Sequence, residues 1–352
     1  MKNELTEKAI ALLKDLIGIQ SFSSAENKTA DRIEQWFVLN EVKFNRDGNN
    51  VWALNKYYDS SKPTLLLNSH HDTVKPNAAY TRDPYKAEII DGKLYGLGSN
   101  DAGGALVSLI ALFTHYYNHK ELKYNLLIAA SAEEETAGEN SLRGLLSKLP
   151  KIDLAIVGEP TETQMAIAEK GLIVFDGVIE GTASHAAHQN NDSAIMKLPK
   201  VLEWFGDFSF DKKSDFLGPV KVTVTQVEAG KEHNVIPAKV NIVVDVRVND
   251  KYTNEEAAEI LIKEAPCKLT PRSLRLGSSS IDVHHELIQS GIKLGRTTYG
   301  SPTLSDQAAL DCPSLKMGPG LSTRSHTADE YIFVNEIEEA IDIYIELLGE
   351  IL

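Results

Sequence analysis

TLLLNSHHD (64–72) is an apolar, strand-like run that stops on residues able to bind a metal. The pattern recurs in LYGLGSND (94–101), NLLIAASAEEE (125–135), LAIVGEP (154–160) and SLKMGPG (314–320), the last shortly before RSHTADEY (324–331). Short apolar strands alternating with helical stretches predict an α/β fold with a mostly parallel central sheet and flanking helices. In such a sheet the ligand site lies beyond the carboxyl ends of the strands, so His70, Asp72, Asp101, Glu134, Glu135, Glu159 and His326 can converge there. That set suits a two-metal hydrolase.

Upstream, Ala9, Leu12, Leu13, Leu16 and Ile17 recur at helical spacing, and SFSSAEN (21–27) offers capping residues for a second helix reaching Leu39. Downstream, the helical GGALVSLIALFTHYY (103–117), the strand YNLLIAAS, the helical ENSLRGLLSKL (139–149) and the strand DLAIVGE continue the alternation. From Gly171 the texture changes to LIVFDGVIEG, PVKVTVTQVEAG (219–230) and AKVNIVVDVRVND (238–250), with helices predicted at 193–205 and 253–264. Polar and apolar positions alternate in these strands, which predicts an α+β domain with one sheet face solvated or paired. We place this inserted domain at 171–276, interrupting a first domain made of 1–170 and 277–352. The last part returns to a helix (285–294), a short strand (314–317) and an amphipathic terminal helix (335–352), which must pack on the first domain if His326 is to join the other ligands.

A net charge of −14 without any long Lys/Arg block leaves no basic face for nucleic acid or an anionic membrane surface. With 352 residues and 42% hydrophobic content the chain can bury a substantial core. Cys267 and Cys312 form no CxxC pair, so they read as buried free thiols rather than as a disulfide framework or a thiolate metal site. The opening MKNELTEKAIALLKDLIGIQ is charged and helical, and no 18-residue apolar run occurs, which fits a cytoplasmic protein.

Singly, each ligand candidate has a plain structural alternative. His70-His71-Asp72 could be a capped surface turn, with Asp72 either orienting an imidazole or only hydrogen-bonded locally. Asp101 in GLGSNDAGG could be a helix N-cap, although the flanking glycines permit unusual backbone angles and close approach to an ion. Three adjacent carboxylates at 133–135 repel one another at a strand end unless a cation or a proton intervenes, yet acidic runs also occur on surfaces. Glu159 before a turn-fixing proline and His326 after the GPGL turn tip the balance together. Two imidazoles and several carboxylates suit a pair of borderline divalent ions such as zinc, cobalt or manganese.

The set SHHDTV (69–74), GLGSNDAGG (96–104), SAEEETAG (131–138), VGEPTE (157–162), GTASHAAH (181–188), NVIPA (234–238) and GPGLSTRSHTADEYI (318–332) resembles the M20 metallopeptidase and deacylase family, in order over nearly the whole chain. Within it the likeness is to the branch of acetylornithine deacetylases, succinyl-diaminopimelate desuccinylases and glutamate-type carboxypeptidases. The resemblance implies that Asp101 bridges two metals, Zn2+ or else Co2+, about 3.5–4 Å apart. It further implies that His70 and Glu159 complete one ion, Glu135 and His326 the other, that Glu134 is the general base, and that Asp72 orients His70. The inserted domain would be a lid through which two copies form a homodimer, with His185 reaching the opposite subunit's site to stabilise an oxyanion. A solvated His185 beside His188 is the plain alternative. Asn234 and Arg247 match lid positions that contact substrate, although Arg247 could equally form an internal ion pair.

Two departures from the family pattern stand out. Relatives often carry a Lys two residues after the bridging Asp, where this chain has Gly103, and His71 replaces a commoner small or apolar residue. The substrate implied is a small N-acyl amino acid, foremost N-acetyl-L-ornithine in arginine biosynthesis. The alternatives are an N-succinyl derivative of ornithine, citrulline, lysine or diaminopimelate, for which Arg324 could pair a second carboxylate, or a dipeptide. A metal-free binding protein of the same fold would have no use for Glu134 beside five ligands.

Overall fold

The computed structural model describes residues 2–352. Two compact units form, one from 1–167, 280–299 and 305–352, the other from 168–279 and 300–304.

The first unit is built on a mixed sheet. Its order runs from the hairpin Asn45–Asp47 and Asn50–Leu54 through Asn125–Ser131, Thr64–His70, Leu154–Val157 and Ser314–Lys316 to Met165–Glu169. Thr64–His70 is parallel to both its neighbours, and Leu154–Val157 is parallel to Ser314–Lys316. The antiparallel pairings fall to either side, at Asn50–Leu54 and Met165–Glu169. Every residue of Thr64–His70 and of Asn125–Ser131 is buried, as a parallel strand covered on both faces requires. The α/β architecture with a parallel centre and flanking helices is therefore borne out.

Helix Gly104–Tyr116 is buried almost all round because it packs between the sheet and two further helices, Lys2–Ile17 and Val334–Gly349. Leu12, Leu13, Phe37, Phe113 and Tyr344 are fully buried in this core. The C-terminal segment thus returns to the first 160 residues of chain, as the convergence of His326 demands. One expected element is shorter than its pattern suggests: 139–149 yields only the helical turn Leu142–Leu145 and a 3-10 turn Leu146–Lys148. Leu142 and Leu145 are anchored in the core, but Gly144 and Pro150 leave little to propagate a helix.

In the second unit Lys221–Ala229, Lys239–Val248, Gly171–Glu180 and Lys268–Pro271 form an antiparallel sheet in that order. Buried residues alternate along Gly171–Glu180 and Lys239–Val248, and helices Ala194–Asp207 and Asn254–Glu264 pack on these strands. Ser193 caps the first helix, and Thr253 with Glu256 forms a capping box on the second.

Asp101 lies in the turn Ser99–Gly103 with non-helical angles (φ −117°, ψ 98°), and the cap position of helix Gly104–Tyr116 falls to Gly103, so Asp101 is not the cap of that helix. The turn closes tightly: a Cβ at Gly103 would meet the Gly98 carbonyl oxygen at 2.4 Å and Leu13 Cδ1 at 2.6 Å. This accounts for Gly103, since a lysine side chain has no room to start there. Gly103→Ala is expected to destabilise the protein by about 1–3 kcal/mol, read as a lower midpoint in urea unfolding of the metal-free protein. An unchanged midpoint would show that the turn gives way freely.

Candidate metal centre

Parallel strands deliver the first ligand candidates. His70 ends Thr64–His70, Glu134 and Glu135 follow Asn125–Ser131, and Glu159 follows Leu154–Val157. His70 is buried, and its Nδ1 lies 3.0 Å from the Asp72 carbonyl and 3.4 Å from Asp72 Oδ1. Donation from Nδ1 leaves the Nε2 lone pair facing Asp101 Oδ1 at 3.4 Å, Glu159 Oε1 at 3.8 Å and Glu134 Oε2 at 4.0 Å. His326 Nε2 stands 3.1 Å from Glu135 Oε2 and 3.3 Å from the other Asp101 oxygen. His70, Asp101 and Glu159 therefore form one group whose ligand atoms all lie within 4.8 Å of one another, and Asp101, Glu135 and His326 form a second. Asp101 is common to both.

Asp72 does more than face His70. Its carboxylate accepts the backbone N–H groups of Glu134 (3.1 Å) and Glu135 (3.2 Å) and the Ser23 hydroxyl (2.6 Å). The turn that follows begins at Glu133, whose φ of 53° is unusual for a non-glycine residue. Glu133 is held in turn by Glu26 Oε1, which accepts its N–H at 3.0 Å, and by Ser24 and Asn140, which donate to its carboxylate. His71 is buried, its ring set between Thr29 Oγ1 (2.8 Å) and the Asn49 carbonyl (3.0 Å), so its departure from the family pattern is a packed polar contact.

Burial and mutual repulsion raise Glu159 and Glu134, whereas Asp101 is lowered, its burial outweighed chiefly by its hydrogen bond with His70. Burial, then the field of Asp101, pushes Glu159 up to about 8. Glu134 is raised well above the carboxylate range by burial, with Glu159, Asp306 and Glu135 adding to it. The hydrogen bond with Glu135 lifts His326 to about 9. Burial alone would lower His70, but Asp101 and Asp72 outweigh it and raise this imidazole well above its usual range. Glu159, which resists ionising, and two imidazoles that resist deprotonating, gathered round Asp101, make a donor set fitted to divalent cations.

Two buried acids at this centre were not singled out in the sequence. Glu330 Oε1 accepts the N–H groups of Asn100 (2.8 Å) and Asp101 (2.9 Å), and its Oε2 that of Gly98 (3.2 Å). Asp306 accepts the Ser131 hydroxyl at 2.6 Å, and burial pushes it up to about 6. Glu330 stood within the quoted RSHTADEY, four residues past His326; nothing around Asp306 distinguishes it from an ordinary turn residue.

The remaining candidates belong to neither of these two groups. Arg324 donates to both Glu336 oxygens (2.7 and 3.1 Å) and stacks over Tyr331 and Phe333, so pairing with a substrate carboxylate would require breaking that arrangement. Arg247 is likewise engaged with both oxygens of Asp245 (2.9 and 3.1 Å), the internal pair that its place in a strand allowed. In the second unit His185 and Asn234 are exposed, the first on the short strand Ser184–His185 and the second in the turn just before its partner strand Val235–Ile236. The Ala187 N–H donates to His185 Nδ1, which leaves Nε2–H as the outward donor.

The chain belongs to peptidase family M20/M25/M40, whose model matches residues 66–350. It is an M20-family hydrolase. It is 27% identical to a succinyl-diaminopimelate desuccinylase of Rickettsia felis over 97% of this chain and 100% of that protein. Among solved structures it is similar to an M20 metallo-carboxypeptidase of Sulfolobus solfataricus (17% identity, TM-score 0.76, 97% of this chain and 99% of that one). It is also similar to a dinuclear metal-binding M20 peptidase of Bacillus subtilis (16% identity, TM-score 0.73, 98% of both chains). These likenesses show the fold. Among the described residues no helix is long and apolar enough to cross a membrane.

Metal uptake must expel the protons that Glu159 and His326 hold near neutrality, with values of about 8 and about 9. Affinity for Zn2+ is therefore expected to climb as pH rises from 6 towards 9, with protons released on binding. Calorimetric titrations in buffers of different ionisation enthalpy measure that release; pH-independent binding without it would contradict the assignment of these residues as ligands.

Proposed function

We propose that this chain hydrolyses the amide of an N-acyl amino acid, with two divalent ions, Zn2+ foremost and Co2+ as alternative, held by His70, Glu159, Asp101, Glu135 and His326. The observation that carries the reading is the pair of ligand groups sharing Asp101, with the Glu134 carboxylate 4.0 Å from one of the ligands and belonging to neither group. When bound, the ions polarise the scissile carbonyl and lower the pKa of water. Glu134 takes the proton from that water and returns it to the departing amine, for which its raised affinity for protons suits it. Asp72 holds His70 in the tautomer that leaves Nε2 free and fixes the backbone of Glu134 and Glu135.

The finer reading is deacetylation of N-acetyl-L-ornithine in arginine biosynthesis, in the cytoplasm. The tail GPGLSTRSHTADEYI supports it, as does the pairing of Arg324, on which a succinyl preference would draw, with Glu336. A second reading, removal of a succinyl group from ornithine, citrulline, lysine or diaminopimelate, draws on the curated relatives, which are named succinyl-diaminopimelate desuccinylases. We assign the second unit as a dimerisation lid. Its edge strand Lys221–Ala229 has one free side and exposed residues along it, and His185 offers an Nε2–H donor for the oxyanion in a homodimer. Asn234 and Arg247 would contact substrate there, the latter after leaving Asp245.

A panel of N-acetyl and N-succinyl ornithine, citrulline, lysine and diaminopimelate, beside dipeptides, tests this with the Zn2+-loaded protein. One preferred acyl amino acid is expected, with a fall in kcat of about 10²–10⁴-fold in Glu134→Gln at unchanged metal content. Turnover of dipeptides alone would sink the deacylase reading. Arg324→Ala is expected to leave the ratio of acetyl to succinyl turnover unchanged. Mixing inactive Glu134→Gln with inactive His185→Ala protein should restore part of the activity if His185 acts across a dimer; no recovery, with exchange of subunits demonstrated, would confine it to its own chain.

A further inference from the structure

We propose that Glu330 is the positioning residue for Asp101, setting the carboxylate that the two ions share. Glu330 is 2% exposed and heads the strand Tyr331–Phe333, which pairs with Lys93–Tyr95 and so brings it beside the turn that carries Asp101. Its two oxygens take three consecutive-loop donors, the N–H groups of Gly98, Asn100 and Asp101, while the Gly96 N–H donates to its carbonyl at 3.0 Å. A carboxylate offers only acceptors, which is what three converging N–H groups require. Glutamine, of nearly the same shape, would turn an NH2 group against at least one of them.

Asn100 ties the same two segments from the other side. Its Oδ1 accepts the Leu321 N–H at 3.0 Å, and its Nδ2 donates to the Leu321 carbonyl (3.1 Å) and to Ser325 Oγ (3.2 Å). The turn bearing Asp101 and the segment bearing His326 are thus locked together across more than two hundred residues of sequence, although Glu330 and Asn100 touch no candidate ion. Loosening that lock turns Asp101, and both ions feel it because both share Asp101.

The inference rests on the two-ion reading, which the wild-type protein tests by itself. Metal-free wild type, Glu330→Gln and Glu330→Asp are titrated with cobalt(II) against a competing chelator, following the absorption of the bound ion, and their metal-free melting is recorded alongside. Wild type is expected to take two equivalents; if it does not, the two-ion reading fails. In folded Glu330→Gln both equivalents should weaken, by roughly 10–100-fold as for other groups that orient ligands from behind, with a changed cobalt spectrum. Glu330→Asp, which keeps the charge but reaches less far, should fall between the two, and it carries the test if the glutamine variant does not fold. Wild-type affinity and spectrum in a folded variant would overturn the proposal. So would weakening of one ion alone, or failure of both variants to fold, which would make Glu330 a part of the folding core.

Discussion

Four carboxylates, Asp101, Glu134, Glu135 and Glu159, stand within a few ångströms of two imidazoles at the edge of a buried sheet, and their mutual repulsion governs the rest of the centre. Left to themselves such groups would splay towards water or take up protons, which is the direction in which Glu134 and Glu159 are displaced. The fold opposes splaying by holding the backbone of the loops rather than the carboxylates. Asp72 grips the N–H groups of Glu134 and Glu135, and Glu330 grips those of Gly98, Asn100 and Asp101. Each grip leaves the ligand oxygens free to face a cation.

The sheet makes this economical. Parallel pairing of Thr64–His70 with Asn125–Ser131 and with Leu154–Val157 brings His70, the Glu134–Glu135 turn and Glu159 to one edge without long excursions of chain. The Asp101 turn is the exception, because it comes from the segment before a helix and must be brought in from the side. Gly103, with no room for a Cβ, and the buried Glu330 are what that approach requires. His326 also adopts a positive φ of 60°, a conformation that a non-glycine residue holds only when its surroundings impose it.

Most of the fold was legible because the strands and helices carry strong periodicity. The all-apolar Thr64–His70 and the caps at Ser193 and Thr253 are local signals that the packing reinforces. The hairpin Asn45–Asp47 with Asn50–Leu54 was missed although Gly48-Asn49 is a fitting two-residue turn, since its first strand is short and charged. Most ligand candidates stood out because they follow an apolar run or, like Asp101, sit among glycines, and His326 because it lies in a polar segment after the GPGL turn. Glu26, Asp306 and Glu330 did not, for a physical reason: their partners are backbone N–H groups or hydroxyls of distant loops, and no spacing in the sequence records them. Arg324 illustrates the converse. Its place beside His326 suggests a role with substrate, while its pairing with Glu336 twelve residues on is a contact that no motif in the sequence records.

The measurement that bears most directly on a shared carboxylate between two ions is an anomalous difference map from crystals of the protein grown with zinc. Two peaks are predicted, one beside His70 and Glu159, the other beside Glu135 and His326, with Asp101 contributing one oxygen to each. A single peak, or two peaks that leave Asp101 without a metal, would contradict the account.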